Sequence, residues 1–104
     1  MNAGRINELI QVYRDGLLED VLPFWIDNAV DRLHGGFTIA CNRDGSILDT
    51  DKGMWQQCRF TWLLGELCNS AKTLGLEDDQ RRSQWLELCR HGIDFIDRHG
   101  FDPA

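Results

Sequence analysis

In the stretch DKGMWQQCRFTW, residues 51–62, Arg59 stands between two tryptophans, Trp55 at i−4 and Trp62 at i+3. At about 100° per residue on a helix, these three share one face with Lys52 and Glu66. Aromatic rings beside a rigid fork of N–H donors suit a sugar, whose apolar C–H face stacks while its hydroxyls take hydrogen bonds. The same residues also suit packing against another element, with Arg59 paired to Glu66. Exposed tryptophans in pairs are unfavourable unless they meet something. Taken by themselves, the residues leave a binding face and a packing face evenly balanced.

The other residues able to do chemistry offer less. Three histidines, His34, His91 and His99, have no metal-ligand spacing, and neither HExxH nor H-x-E with paired cysteines occurs, so no metal site is expected. His34 and His99 fall where helices should end, and an imidazolium there suits the negative end of the dipole. His91 follows Arg90 in a helical run and reads as a surface or half-buried position. Asp49 and Asp51 precede the helix that carries Arg59 and read as anions capping its start. GxGxxG, GxxxxGK[ST] and GxSxG are all absent, and no cofactor is expected. Cys41, Cys58, Cys68 and Cys89 form no CxxC pair and read as reduced, mostly buried thiols.

Composition bounds the partners. The chain has 104 residues, 42% of them hydrophobic and 27% charged, with a net charge of −6 spread along its length. That balance argues against nucleic acid or an anionic membrane as partner. No apolar run approaches the roughly 20 residues needed to span a bilayer, and MNAGRINELIQ lacks the basic start and apolar stretch of a signal peptide. A cytoplasmic location is the expectation that follows.

Three helices must position these residues. The first is expected over residues 5–33, with Ile6, Leu9, Ile10, Tyr13, Leu17 and Val21 on one face. Pro23 either kinks it or opens a second segment holding Phe24, Trp25, Ile26, Ala29 and Val30. Arg32, His34 and Gly35-Gly36 mark its end. Phe37, Ile39 and Cys41 then alternate, Asn42–Gly45 supplies a turn, and Ile47-Leu48 resumes the apolar run, which predicts a short β-hairpin or an irregular two-stranded loop excursion. The second helix is expected over Gly53–Leu74, with Phe60, Leu63, Leu64, Leu67, Ala71 and Leu74 as its apolar stripe. Glu77-Asp78-Asp79 opens a third, to about His99, burying Trp85, Leu88, Cys89, Gly92, Ile93 and Ile96. DRLHGGF (31–37) and DRHGFD (97–102) form a weak echo that generic cap chemistry explains better than a repeated helical hairpin. Two of the helices carry more than one apolar face, more surface than three helices hide among themselves, so the chain reads as the first part of a longer protein.

Phe24-Trp25, the D-x-x-H-G-G-F of Asp31 to Phe37, Arg43-Asp44-Gly45 and the D-K-x-x-W-x-Q-x-R-x-x-W of Asp51 to Trp62 occur here in that order. Together with WLELCRHGIDFIDRHGFD, this ordered set resembles the N-terminal region of the N-acylglucosamine 2-epimerase and cellobiose 2-epimerase family. The resemblance implies an all-α fold, residues 1–104 forming the N-terminal helical hairpins of an (α/α)6 barrel with a short β-hairpin between the first two helices. It implies a small-molecule sugar as partner, and epimerisation or isomerisation at C2 of an aldose through an enediolate. Carried over residue by residue, Arg59 matches the family's cleft arginine, which contacts the sugar near the reacting carbons, and Trp55 matches an aromatic residue of the same cleft.

Gln57 matches the motif too, but two positions from Arg59 it projects about 200° away and reads as structural. Lys52 shares the face of Arg59 yet sits at the helix start. None of the three histidines matches the family's catalytic pair, so no catalytic residue is expected in this chain and it should be inactive, and poorly folded, alone. Two readings of other classes remain: a glycoside hydrolase on an α/α barrel, to which Asp49 and Asp51 would supply one side of a carboxylate pair, and a non-enzymatic helical module docking through the tryptophans.

Overall fold

A computed structural model describes residues 2–76 and 79–101. The expectations placed on Glu77, Asp78 and Pro103 lie outside the described residues. The chain is mostly helical with one small antiparallel sheet, in the order α1 (Ala3–Asp15), a π-helical segment (Gly16–Val21), α2 (Leu22–Ala29), β1 (Ala40–Cys41), β2 (Ile47–Asp49), α3 (Met54–Asn69) and α4 (Gln80–His99).

The first helical region starts on Asn2, whose side chain accepts from the Arg5 N–H, and it runs unbroken past Pro23. Pro23 lies in the first turn of α2, directly after the π-helical segment, and its ring-fixed φ is compatible with the helix it continues. The region widens at Gly16–Val21, and the Leu22 N–H reaches back five residues to Leu17. A widened turn holds more residues than an α turn and changes which side chains face inward. Leu18 and Leu22 are therefore buried, while Val21, expected on the inner face, is 51% exposed.

Two expected helix ends move. The first helix ends at Ala29 rather than residue 33, because Val30 is extended and bridges to Phe37 in antiparallel fashion. Arg32 and His34 thus lie in the connecting strap of residues 30–37 and cap no helix. Gly35 and Gly36 do take positive φ, 87° and 71°, but as part of this strap. The Asp31 carboxylate organises it by accepting from the Leu33 and His34 N–H groups. The helix bearing Arg59 stops at Asn69, not Leu74, and a turn follows with Gly75 at φ 73°.

The hairpin is as expected, with Ala40 opposite Asp49, Cys41 opposite Ile47 and an irregular register between. Its turn closes from the Gly45 N–H to the Asn42 carbonyl at 2.9 Å.

The core lies chiefly between α3 and α4. Trp85, Leu64, Leu88 and Gln57 are its largest fully buried side chains. Gly92 permits the close approach, since a Cβ there would stand 3.0 Å from Cβ of Thr61. The face of α3 that is most buried therefore runs through Gln57, Thr61, Leu64 and Cys68. Of the expected apolar stripe, Leu64, Leu67 and Ala71 are buried and Phe60, Leu63 and Leu74 only half-buried, so the buried side is shifted toward Gln57 and Thr61. On α4, Trp85, Leu88 and Gly92 are buried as expected, but Ile93 is exposed. Asp79 caps α4 by accepting from the Arg81 N–H, and Arg81 also pairs with Glu19 of the π-helical segment at 3.0 Å. α1 buries no residue, and the molecule extends 55 × 28 × 26 Å.

Of the thiols, Cys68 is buried, Cys41 and Cys89 are half-buried and Cys58 is exposed; all four are free. Burial raises the Cys68 thiol above its ordinary range. No described helix is long and apolar enough to cross a membrane.

Candidate functional site

α3 presents its two sides to different surroundings. Gly53 stands at its N-cap in extended conformation with no side-chain cap, so neither Asp49 nor Asp51 performs the capping expected of them. The Asp49 carboxylate instead accepts from the Asp51 N–H at 2.8 Å, which closes a local turn. Both Asp49 and Asp51 are exposed.

The outward side of α3 carries Trp55 and Trp62, 68% and 66% exposed, with Arg59 exposed between them. The Arg59 guanidinium carbon lies 4.8 Å from the Trp55 ring centroid. A cation over an indole face is attracted by the ring quadrupole, by about 0.5–1 kcal/mol where water reaches the pair. The stack restricts an otherwise free side chain and leaves guanidinium N–H groups open to a ligand. Arg59 makes none of the described hydrogen bonds or ion pairs; the Glu66 pairing that the sequence allows does not form. A recess of about 370 Å³ adjoins it, lined by Gln56, Arg59, Phe60, Trp62 and Leu63. Spacing alone does not single out Gln56, because it sits at the edge of the stripe rather than on it. It also borders a second recess of about 240 Å³, in which Trp25 and Val21 of the first helical region face Phe60 and Leu63.

Lys52 does not join this face. Its ammonium turns inward to the Asp31 carboxylate at 2.6 Å and lies 5.7 Å from the Phe95 ring centroid. Partial burial pushes the Asp31 carboxyl upward. The hydrogen bond and charge of Lys52 and the N–H groups of His34 and Leu33 outweigh it and hold the carboxyl well below the ordinary carboxylate range.

Gln57 points inward, as its two-residue offset from Arg59 requires. It is wholly buried. Its Oε1 accepts from the Phe37 N–H at 2.8 Å, and its Nε2 donates to the Phe37 carbonyl at 2.8 Å. A buried amide with both ends satisfied in this way is structural, as read from the helix geometry.

The histidines are occupied elsewhere. His91 is half-buried, donates from Nε2 to the Gly36 carbonyl at 2.8 Å and meets the Phe37 ring edge-on. His34 is exposed beside Asp31 at 3.4 Å, and His99 leans on Phe95 with centroids 4.8 Å apart. None reaches the face of Arg59 by any described contact, and among the described residues no group of three His, Cys, Asp or Glu is placed to hold a metal ion.

No family model matches the chain. Individual proteins do. The chain is 32% identical to the N-acylglucosamine 2-epimerase of Mus musculus over 95 residues, covering 88% of this chain and 21% of that protein. It is 29% identical to the enzyme of the same name from Rattus norvegicus over 92 residues, covering 86% of this chain and 20% of that protein. With the one from Homo sapiens it shares 27% over 95 residues, again 88% of this chain and 21% of the other. The chain thus spans about a fifth of the length of the curated relatives it matches. Its resemblance to the N-acylglucosamine 2-epimerases extends along nearly all of its own sequence.

Proposed function

We propose that the protein carrying this relative of the N-acylglucosamine 2-epimerases is a sugar 2-epimerase, and that Arg59 and Trp55 form part of one wall of its sugar cleft. Sequence similarity over 88% of the chain to proteins of that name carries the reading. The stacked, solvent-facing Arg59–Trp55 pair is compatible with it. Residues 1–104 would then be helical hairpins of an α/α barrel, with the exposed apolar surface of α1 and the α2–α3 recess facing the rest of that domain.

The chemistry follows from charge development. Removing the proton beside an aldose carbonyl yields an enediolate, and a fixed cation aimed at its oxygens lowers the barrier most where water is excluded. Arg59 supplies a permanent charge with donors in a planar fork. Trp55 restricts the guanidinium and offers the sugar an apolar face. Reprotonation at C2 from the opposite side gives the epimer, and imidazoles near neutral pKa are suited to both proton transfers. His34, His91 and His99 contact Asp31, Gly36 and Phe95 and reach the Arg59 face by no described contact, and this reading assigns the base and acid to residues of the full-length protein outside residues 1–104. The substrate class is an N-acylglucosamine or a related aldose, and no cofactor is required by this route.

The experiment is steady-state kinetics of the full-length protein on N-acetylglucosamine. Arg59→Ala is expected to lower kcat/KM by about 100-fold, the scale of losing one transition-state donor. Arg59→Lys should recover only part of this, since it restores charge without the fork. Unchanged kinetics in Arg59→Ala would remove Arg59 from the site.

A further inference from the structure

Arg59 is exposed and Gln57 buried on the same turn of α3. Both bonds of Gln57 go to Phe37, outside the helix, and pair with its N–H and C=O as a neighbouring strand would. Bonds within a helix fix its internal geometry; bonds from one side of it to another segment fix its rotation about its own axis.

The segment gripped is itself held firmly. Lys52 ties Asp31 to the start of α3 at 2.6 Å, and His91 of α4 donates to the Gly36 carbonyl at 2.8 Å. Close approach to the glutamine requires Gly36, where a Cβ would stand 2.8 Å from Gln57 Oε1 and 2.9 Å from Phe95 Cγ. The strap is thus anchored to both α3 and α4, and Gln57 is its deepest link.

We propose that Gln57 is a positioning residue for Arg59: by gripping Phe37 it sets the rotation of the first two turns of α3, and so the direction in which the Trp55–Arg59 pair faces the sugar. The Lys52–Asp31 pair is a second fastening of the same kind. This inference rests on the reading of Arg59 as a sugar contact.

The test is a double-mutant cycle in the full-length protein, with N-acetylglucosamine as the probe sugar. Gln57→Asn keeps the amide but is one methylene too short to hold both Phe37 groups where they stand. Misplacing a contacting group by around 1 Å costs up to about 100-fold, so Gln57→Asn is expected to lower kcat/KM about tenfold or more. In an Arg59→Ala background the same change should cost less than about twofold, because the group it positions is gone. Lys52→Met, which cuts the second fastening between the start of α3 and Asp31, should repeat the pattern more weakly and decides the matter if Gln57→Asn does not fold. Equal factors in both backgrounds, or a lowered Tm with unchanged kcat and KM, overturn the proposal. A damaging Arg59→Ala with an additive Gln57→Asn overturns it alone. An Arg59→Ala protein with unchanged kinetics overturns the sugar-contact reading and this proposal together.

Discussion

α4 and α1 both carry an amphipathic pattern, yet they fare differently in the fold. α4 buries Trp85, Leu88 and Gly92 against α3, whereas α1 leaves Ile6, Ile10, Val12 and Tyr13 exposed and buries nothing. The difference lies in what faces each stripe. α4 meets a helix whose Gln57, Thr61, Leu64 and Cys68 form a complementary side, and Gly92 lets the two backbones approach. α1 has no such neighbour among the described residues; beyond its continuation into the π-helical segment, Arg14 donates to the Leu74 carbonyl at 2.8 Å. An apolar period predicts a helix, but a buried helix needs a second surface as well.

That contrast can be tested from its strongest side first. Trp85→Ala in the 104-residue chain is expected to lose about 3–5 kcal/mol, as fits a fully buried large side chain, and urea denaturation measures it. A loss below about 1 kcal/mol would mean that the α3–α4 contact is not the stabilising core.

A smaller effect concerns the strap beside that core. Asp31 has a lower pKa folded than unfolded, so its contribution is full above the ordinary carboxylate value of about 4 and is lost as pH falls from there toward the folded value. Stability should therefore fall on acidification below about pH 4, and Asp31→Asn should flatten that limb. A limb of the same slope in Asp31→Asn would assign the acid sensitivity to other carboxylates.

Ile10→Ala is the smallest, expected within about 0.5 kcal/mol in the same chain because the side chain is 58% exposed. A larger loss would mean that α1 is covered in solution and would erase the contrast between the two helices.

Much of this architecture is legible in the sequence. The hairpin follows from turn chemistry at Asn42–Gly45, and α4 from its periodicity and Asp79 cap. That Trp55, Arg59 and Trp62 share one face and that Gln57 turns away from it follow from helix geometry alone; that the shared face is the exposed one does not. What escapes such a reading depends on contacts distant in sequence. Lys52 shares a helical phase with Arg59, but Asp31, 21 residues earlier, draws it inward. The first helix ends at Ala29 because Val30 pairs with Phe37, and no local signal at Arg32 or His34 discloses that pairing. Gln56 joins the recess beside Arg59 only because Phe60, Trp62 and Leu63 gather around it.

The π-helical segment at Gly16–Val21 sets the phase between α1 and α2. A widened turn absorbs a residue without ending the helix, so the stripe of α1 and the stripe of α2 need not point the same way. Removing one residue from this segment would let the α-helical ladder close straight through with the faces of α1 and α2 hardly turned, because the widened turn holds that residue within the same sweep. Helix length would hardly change. Tightening the same six residues to α-helix would instead turn α1 by about 100° around the common axis, moving Ile6, Ile10 and Tyr13 as a set to another compass direction, so the widening of this segment aims the exposed apolar surface of α1.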